Sequence, residues 1–308
     1  MQSMRMTRIG VLLIVVLCPH GTLSSAQGAK HEKEAKASKS GDPVLVGAGD
    51  IASCDDLTGA EATAKLIDKI PGTVFAAGDL AYPDGSDEQF AKCYGPTWGR
   101  FKNRTRPAPG NHEYHKTGAS GYAHYFGEAA GDPGRGYYSY ELGTWHVVVL
   151  NSECVEVGGC EATSPKGQWV QQDLARHPAA CTLAYFHHPL FSSGRKHGNN
   201  PEMKPFWDLL YHAGADVVIN GHDHNYERFA PQDPQGHEDT RHGIREFVVG
   251  SGGKNSHRTL GIAKPNSEVR NGDTFGVLKM TLHPNGYDWE FVPEAGKTFT
   301  DKGSGSCH

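Results

Sequence analysis

From Pro43 onward, short apolar runs alternate with polar, glycine-bearing stretches. Val44-Leu45-Val46, Val74-Phe75-Ala76-Ala77, residues 145–150, residues 181–186 and Val217-Val218-Ile219 are apolar at nearly every position. That is the pattern of strands buried on both faces. Segments with helical spacing lie between them. Residues 59–70 carry Leu66 and Ile67 and stop at Pro71-Gly72; residues 165–175 turn Trp169, Val170 and Leu174 inward; residues 205–212 carry Phe206, Trp207, Leu209 and Leu210. Residues 88–101 are mixed, with Phe90, Tyr94, Trp98 and Phe101 able to pack one helical face. Residues 137–141 and 145–150 read as a hairpin around Leu142-Gly143-Thr144. Residues 244–249, 274–282 and 287–292 are strand-like, the last two joined through Pro284-Asn285-Gly286, and suggest a second, more antiparallel sheet. The pattern predicts the α/β class, an α+β-like four-layer sandwich of two packed mixed sheets flanked by helices, with sites at the carboxyl ends of strands.

The first residues read differently. Arg5 and Arg8 precede an apolar run at 9–17, and Ser24-Ser25-Ala26 offers small residues for cleavage. The run is too short to span a bilayer, so residues 1–26 are expected to be an export signal and no stable membrane insertion is expected. Leu17 before Cys18 is larger than a lipoprotein signal requires. Residues 27–42 hold no apolar side chain larger than alanine and read as a flexible leader. A folded domain over 43–308 follows. Cys54, Cys93, Cys154, Cys160, Cys181 and Cys307 make an even set, expected to form three disulfides in a secreted or cell-envelope protein. Cys154 with Cys160 is favoured by the intervening turn; Cys54 with Cys93 and Cys181 with Cys307 would tie a loop and the C-terminus. The sequence alone does not choose among pairings. The net charge of −5 and the lack of a basic block beside aromatics argue against nucleic acid as the main partner.

Five strand ends or tight turns deliver polar donors: Gly49-Asp50, Gly78-Asp79-Leu80-Ala81-Tyr82, Gly110-Asn111-His112-Glu113, His187-His188-Pro189 and Gly221-His222-Asp223-His224. Singly, each has a plain reading. An aspartate after a strand is commonly a cap, and Asp223 reads as a turn former. Together, Asp50, Asp79, Tyr82, Asn111, His187, His222 and His224 supply seven nitrogen or oxygen donors. Such a set suits two metal ions sharing one carboxylate. Arg195-Lys196-His197 reads as a solvated basic turn or as a grip on a charged substrate end.

These five motifs, in this order, resemble the calcineurin-like metallophosphoesterases, and Tyr82 makes the purple acid phosphatases the nearest subgroup. The resemblance spans residues 44–228, and Asn225-Tyr226-Glu227-Arg228 extends its last motif. Ile51-Ala52 departs from the glycine the family often has after the first aspartate. The length leaves no room for the N-terminal β-sandwich domain of the large plant-type members. The resemblance implies that Asp50, Tyr82 and His224 bind an Fe(III), that Asn111, His187 and His222 bind Fe(II), Zn or Mn, and that Asp79 bridges the two. It implies a substrate-facing role for His112, as donor to phosphate or to the leaving oxygen; His188 is a supporting candidate. The implied activity is hydrolysis of phosphate monoesters by a metal-activated hydroxide, with phosphorylated small molecules or phosphoproteins as partners. A phosphodiesterase acting on cyclic nucleotides, nucleotides or lipid headgroups would use the same centre. A secreted binding protein with a decayed site would have lost ligands, and here all seven are present.

Overall fold

A computed structural model describes residues 41–132, 134–254 and 260–308. The expected export signal and most of the leader lie outside these residues. Two sheets organise the rest. One has the order β15 (Lys302–Ser306), β14 (Gly286–Pro293), β13 (Gly276–His283), β1 (Val44–Ala48), β3 (Thr73–Ala77), β5 (Thr105–Ala108). The other has the order β12 (Ser267–Asn271), β10 (Tyr226–Phe229), β11 (Arg245–Val249), β9 (Val217–Asn220), β8 (Cys181–Tyr185), β7 (Trp145–Val149), β6 (Tyr138–Leu142). β1, β3 and β5 run parallel, as do β7, β8, β9 and β11; the flanking strands are antiparallel. A small pair, β2 (Ala52–Ser53) and β4 (Ala81–Tyr82), joins two of the strand-end loops.

The unbroken apolar runs are explained by burial on both faces. Val147, Val149, Leu183, Tyr185, Val217 and Ile219 belong to the core that also holds Val46, Phe75 and Leu278 of the first sheet. The residues between them, Val148, Ala184 and Val218, belong to a second core with Val170, Phe206, Trp207 and Leu210 of helices α4 (Pro165–Arg176) and α5 (Lys204–His212). Period-two alternation thus feeds two hydrophobic layers at once. Fully burying such side chains contributes about 1.5–3 kcal/mol each. On the first sheet, α1 (Thr58–Ile67) buries Ala60, Ala64 and Ile67. α4 begins where expected, because Ser164 caps Gly167 N–H at 3.1 Å and Pro165 takes the first turn. The mixed segment near residue 90 is broken into α2 (Asp87–Gln89), a π turn over Phe90–Tyr94 and a 3-10 stretch over Trp98–Arg104. A short helix α3 (Ser120–Phe126) follows β5.

One expectation is corrected. The C-terminal strands do not build a sheet of their own. β11 pairs parallel with β9, whereas β13 pairs antiparallel with β1, Val44 facing Thr281. Sheet membership here is decided by pairing partners far away in sequence, which local patterning does not report. The three disulfides are Cys54–Cys93, Cys154–Cys160 and Cys181–Cys307, so the structure selects the pairs named above from those the sequence leaves open. Among the described residues, no helix is long and apolar enough to cross a membrane.

Candidate metal centre

β1, β3 and β9 finish alike. Two residues beyond each stand Asp50, Asp79 and His222, with φ of 58°, 54° and 72°. Left-handed backbone costs a non-glycine residue about 1–3 kcal/mol and persists only where the surroundings fix it. Here Asp50 N–H donates to Gly78 O at 3.0 Å, Ile51 N–H to Asp79 O at 2.9 Å, and His222 N–H to Asp50 Oδ2 at 2.8 Å. The motif glycines allow this crowding. A Cβ on Gly221 would lie 2.7 Å from Asp50 Oδ2, and one on Gly110 would overlap Asp79 Oδ1.

The donors converge on Asp79. Its Oδ2 lies 3.0 Å from the Tyr82 hydroxyl and 3.2 Å from His187 Nε2. The same Tyr82 hydroxyl lies 2.8 Å from Asp50 Oδ1 and 3.2 Å from His224 Nε2. His187 Nε2 faces His222 Nδ1 at 3.2 Å, while His187 Nδ1 meets the Ala77 carbonyl at 2.9 Å. That carbonyl fixes the tautomer and turns the Nε2 lone pair of a neutral imidazole into the site. Asn111 lines the same cavity, and among the described residues its buried Oδ1 has no hydrogen-bond partner. One hydroxyl proton among three acceptors, two imidazole nitrogens facing each other and an orphaned amide oxygen form a donor set deficient in positive charge. Two cations sharing Asp79 fit it, one among Asp50, Tyr82 and His224, the other among Asn111, His187 and His222.

The electrostatics agree. Burial alone would raise the Asp79 carboxyl, but the charge and hydrogen bonds of His187, with help from His112, hold it well below the usual carboxylate range. Burial disfavours the His187 imidazolium, and Asp79 outweighs it and raises that ring. A proton shared by this pair occupies the place a cation would take. Burial and the charges of Asp50 and Asp79 push the Tyr82 phenol well up, so its ionisation needs a strong Lewis acid. Burial, and then His188 and His187, lower His222 and favour the neutral ring that a metal ligand would need.

Other residues frame the cavity, about 240 Å³ in volume. His112 N–H donates to Asp79 Oδ1 at 2.9 Å; its Nδ1 lies 2.6 Å from the Pro83 carbonyl and its Nε2 3.9 Å from Asp79 Oδ2. His188 faces Ser152 Oγ at 3.0 Å and Glu153 Oε1 at 3.1 Å, with its ring 4.1 Å from that of His222. It therefore backs a candidate ligand rather than lining the cavity. Lys196 and His197 of the basic turn do line it. Asp223 is more than a turn former: it is buried, accepts from Ser192 Oγ at 2.5 Å and from Gly198 N–H at 3.0 Å, and so pins that turn. Two residues had no assigned role in the sequence. Lys254 lines the cavity, donates to Ser53 Oγ at 2.9 Å and lies 4.9 Å over the Tyr82 ring. Glu113 is fully buried and accepts from Asp79 N–H at 2.9 Å, Leu80 N–H at 2.8 Å and Gly110 N–H at 2.8 Å. Burial and the Asp79 charge push its carboxyl up, against these donors. With N–H groups on both oxygens and, among the described residues, no acceptor for a carboxyl proton, the pocket fits the anion. Glu113 was legible only as the last letter of Gly-Asn-His-Glu.

The model of the calcineurin-like phosphoesterase family matches residues 43–226. Purple acid phosphatase 15 of Arabidopsis thaliana is 28% identical over 200 residues, covering 53% of this chain and 37% of its own length. Purple acid phosphatase 21 of the same plant is 32% identical over 143 residues, covering 43% of this chain and 30% of its own length. The solved structure of purple acid phosphatase PPD1 from yellow lupin (Lupinus luteus) seeds matches with a TM-score of 0.66 at 20% identity, covering 87% of this chain and 54% of that one. That last likeness is one of fold. The chain spans about a third of the length of the curated relatives it matches.

Proposed function

We propose that this chain, which belongs to the calcineurin-like phosphoesterase family, hydrolyses phosphate monoesters as an acid phosphatase of the purple type. The observation that carries the reading is the convergence on Asp79 of two sets of donors, one containing the Tyr82 phenol and the other the unpartnered Asn111 oxygen. The first set suits Fe(III), because a phenolate is a hard anionic ligand; the second suits Fe(II), Zn or Mn. Bound there, two cations supply Lewis-acid neutralisation of phosphoryl charge and acidify water.

The chain's own residues do the rest. Lys196 and Lys254 bring positive charge to the cavity, which favours a dianionic monoester over a diester. About 240 Å³ admits a phosphoryl group and the start of its leaving group. His112 is anchored through Nδ1 to Pro83, leaving Nε2 toward the cavity. As imidazolium it can hand the Nε2 proton to the departing oxygen. His188, held by Ser152 and Glu153, buttresses His222. The three disulfides support export to an oxidising compartment, with residues 1–26 as signal, 27–42 as leader and 43–308 as the catalytic domain. Phosphorylated small molecules or phosphoproteins are the partners this reading names.

The test compares rates on an aryl phosphate and a bis-aryl phosphate. Faster monoester cleavage at mildly acidic pH is expected. Faster diester cleavage overturns the monoester assignment while leaving the centre intact.

A further inference from the structure

A second group of metal-capable side chains lies at the opposite end of the second sheet. His146 is the second residue of β7 and is 1% exposed; its cross-strand neighbour on β6 is Glu141. Three residues of strand, Val147–Val149, a rise of about 13 Å at ~3.3 Å per residue, separate His146 from the loop after β7 that faces the centre described above. His146 Nδ1 lies 2.8 Å from Glu141 Oε1, and Nε2 lies 2.8 Å from Asp173 Oδ2 on α4. Asp173 Oδ1 accepts from Ser139 Oγ at 2.8 Å and lies 3.3 Å from His177 Nδ1, one helical turn on, a nitrogen that also meets the Asp173 backbone carbonyl at 3.0 Å. The His177 ring stacks on His146 with centroids 4.9 Å apart.

Two carboxylates therefore converge on one buried imidazole. Among the described residues, no lysine or arginine forms an ion pair with either carboxylate. One ligand atom from each of His146, Asp173 and His177 can be chosen so that all lie within 4.8 Å of one another. The route in is open, since Asp173 and Ser139 line a surface cleft of about 620 Å³ with Tyr137, Tyr138 and Trp169. A carboxylate on the far nitrogen of a histidine is the arrangement that orients a metal-bound imidazole. Without an ion, burial disfavours the His146 imidazolium, but its hydrogen bonds to Asp173 and Glu141 outweigh this and raise it. A proton then balances the two carboxylates, and a divalent cation would do so with one more charge.

We propose that His146, Asp173 and His177 form a third cation site, of the zinc class, with Glu141 orienting His146. Two imidazoles and one carboxylate, with a position open to the cleft, suit a borderline divalent ion. Its occupation would tie α4 to the β6–β7 hairpin. None of these residues contributes to the dinuclear centre.

The test titrates the purified, metal-loaded protein with zinc chloride by calorimetry and counts equivalents beyond those already bound. One further equivalent is expected. His177 is half exposed, so the His177→Gln variant should fold; it should weaken that equivalent at least tenfold while the aryl phosphate rate stays within twofold. Asp173→Asn should weaken it likewise. Anomalous scattering at the zinc edge should place the ion between His146 and Asp173. No further equivalent, or uptake undiminished by His177→Gln, overturns the proposal.

Discussion

Replacing Glu113 with Gln tests how the centre is held. The carboxylate takes three backbone N–H groups at 2.8–2.9 Å, from Asp79, Leu80 and Gly110. Hydrogen bonds to a charged group contribute about 1.5–3 kcal/mol each when buried. A glutamine keeps one accepting oxygen but aims an NH₂ at the N–H groups on the other side. With its oxygen kept on Asp79 and Gly110, the amide loses the Leu80 bond and sets donor against donor there, and the two remaining bonds lose their charge assistance, which together amounts to about 3–5 kcal/mol. For a domain of this size, that lowers the thermal midpoint by about 10 °C. Because the clamp fixes the backbone of Asp79, metal affinity should also fall by about 10–100-fold. Urea denaturation followed by circular dichroism gives the first quantity, and competition with a chromogenic chelator gives the second. If Glu113 were protonated in the fold, glutamine would mimic it. A Glu113→Gln protein within about 0.5 kcal/mol of the wild type, with unchanged metal affinity, would refute the argument that the pocket holds an anion.

Three further outcomes follow from the same geometry. Lys166 is fully buried against the Asn151 carbonyl, and burial lowers it from 10.5 to about 7. The unfolded chain then binds the extra proton between those values, so stability should rise by about 2 kcal/mol from pH 7 to pH 9. Lys166→Met should remove that rise in urea midpoints, and an identical slope in both proteins would contradict it. The Cys181–Cys307 bridge closes a loop of 126 residues, so replacing both cysteines with serine should cost about 5 kcal/mol in the chain-entropy account, read from the denaturant midpoint. Lys254→Met should raise KM for an aryl phosphate by about tenfold with kcat little changed; an unaltered KM would restrict Lys254 to its contacts with Ser53 and Tyr82.

Much of the candidate metal centre could be read from residue order alone, because its proposed donors sit directly after strands whose apolar runs are unmistakable. Asp50, Asp79 and His222 come from the same step beyond three different strands. What the sequence did not reveal depends on contacts between distant segments. β15 consists of Lys302, glycines and serines, with no apolar residue to mark it, and becomes a strand only by pairing with β14. β12 likewise exists as an antiparallel partner of β10. Glu113 and Asp223 stood inside the recognised motifs, yet their work is to accept backbone and hydroxyl hydrogens from loops elsewhere in the chain. Lys254 arrives at the cavity from the loop after β11; the glycine-, lysine- and histidine-bearing composition of residues 251–270 suggests a loop at the rim of the site, but gives Lys254 no individual role.

The measurement that tests the central claim most directly is made on one purified sample: metal content by elemental analysis, the visible spectrum and the phosphatase rate. About two metal ions per chain are expected at the centre, one of them iron, with a phenolate-to-iron absorption band that disappears in Tyr82→Phe and monoesterase activity that falls by orders of magnitude in Asp79→Asn. Zinc or manganese alone with no band, or a metal-loaded Asp79→Asn protein turning over at the wild-type rate, would contradict it.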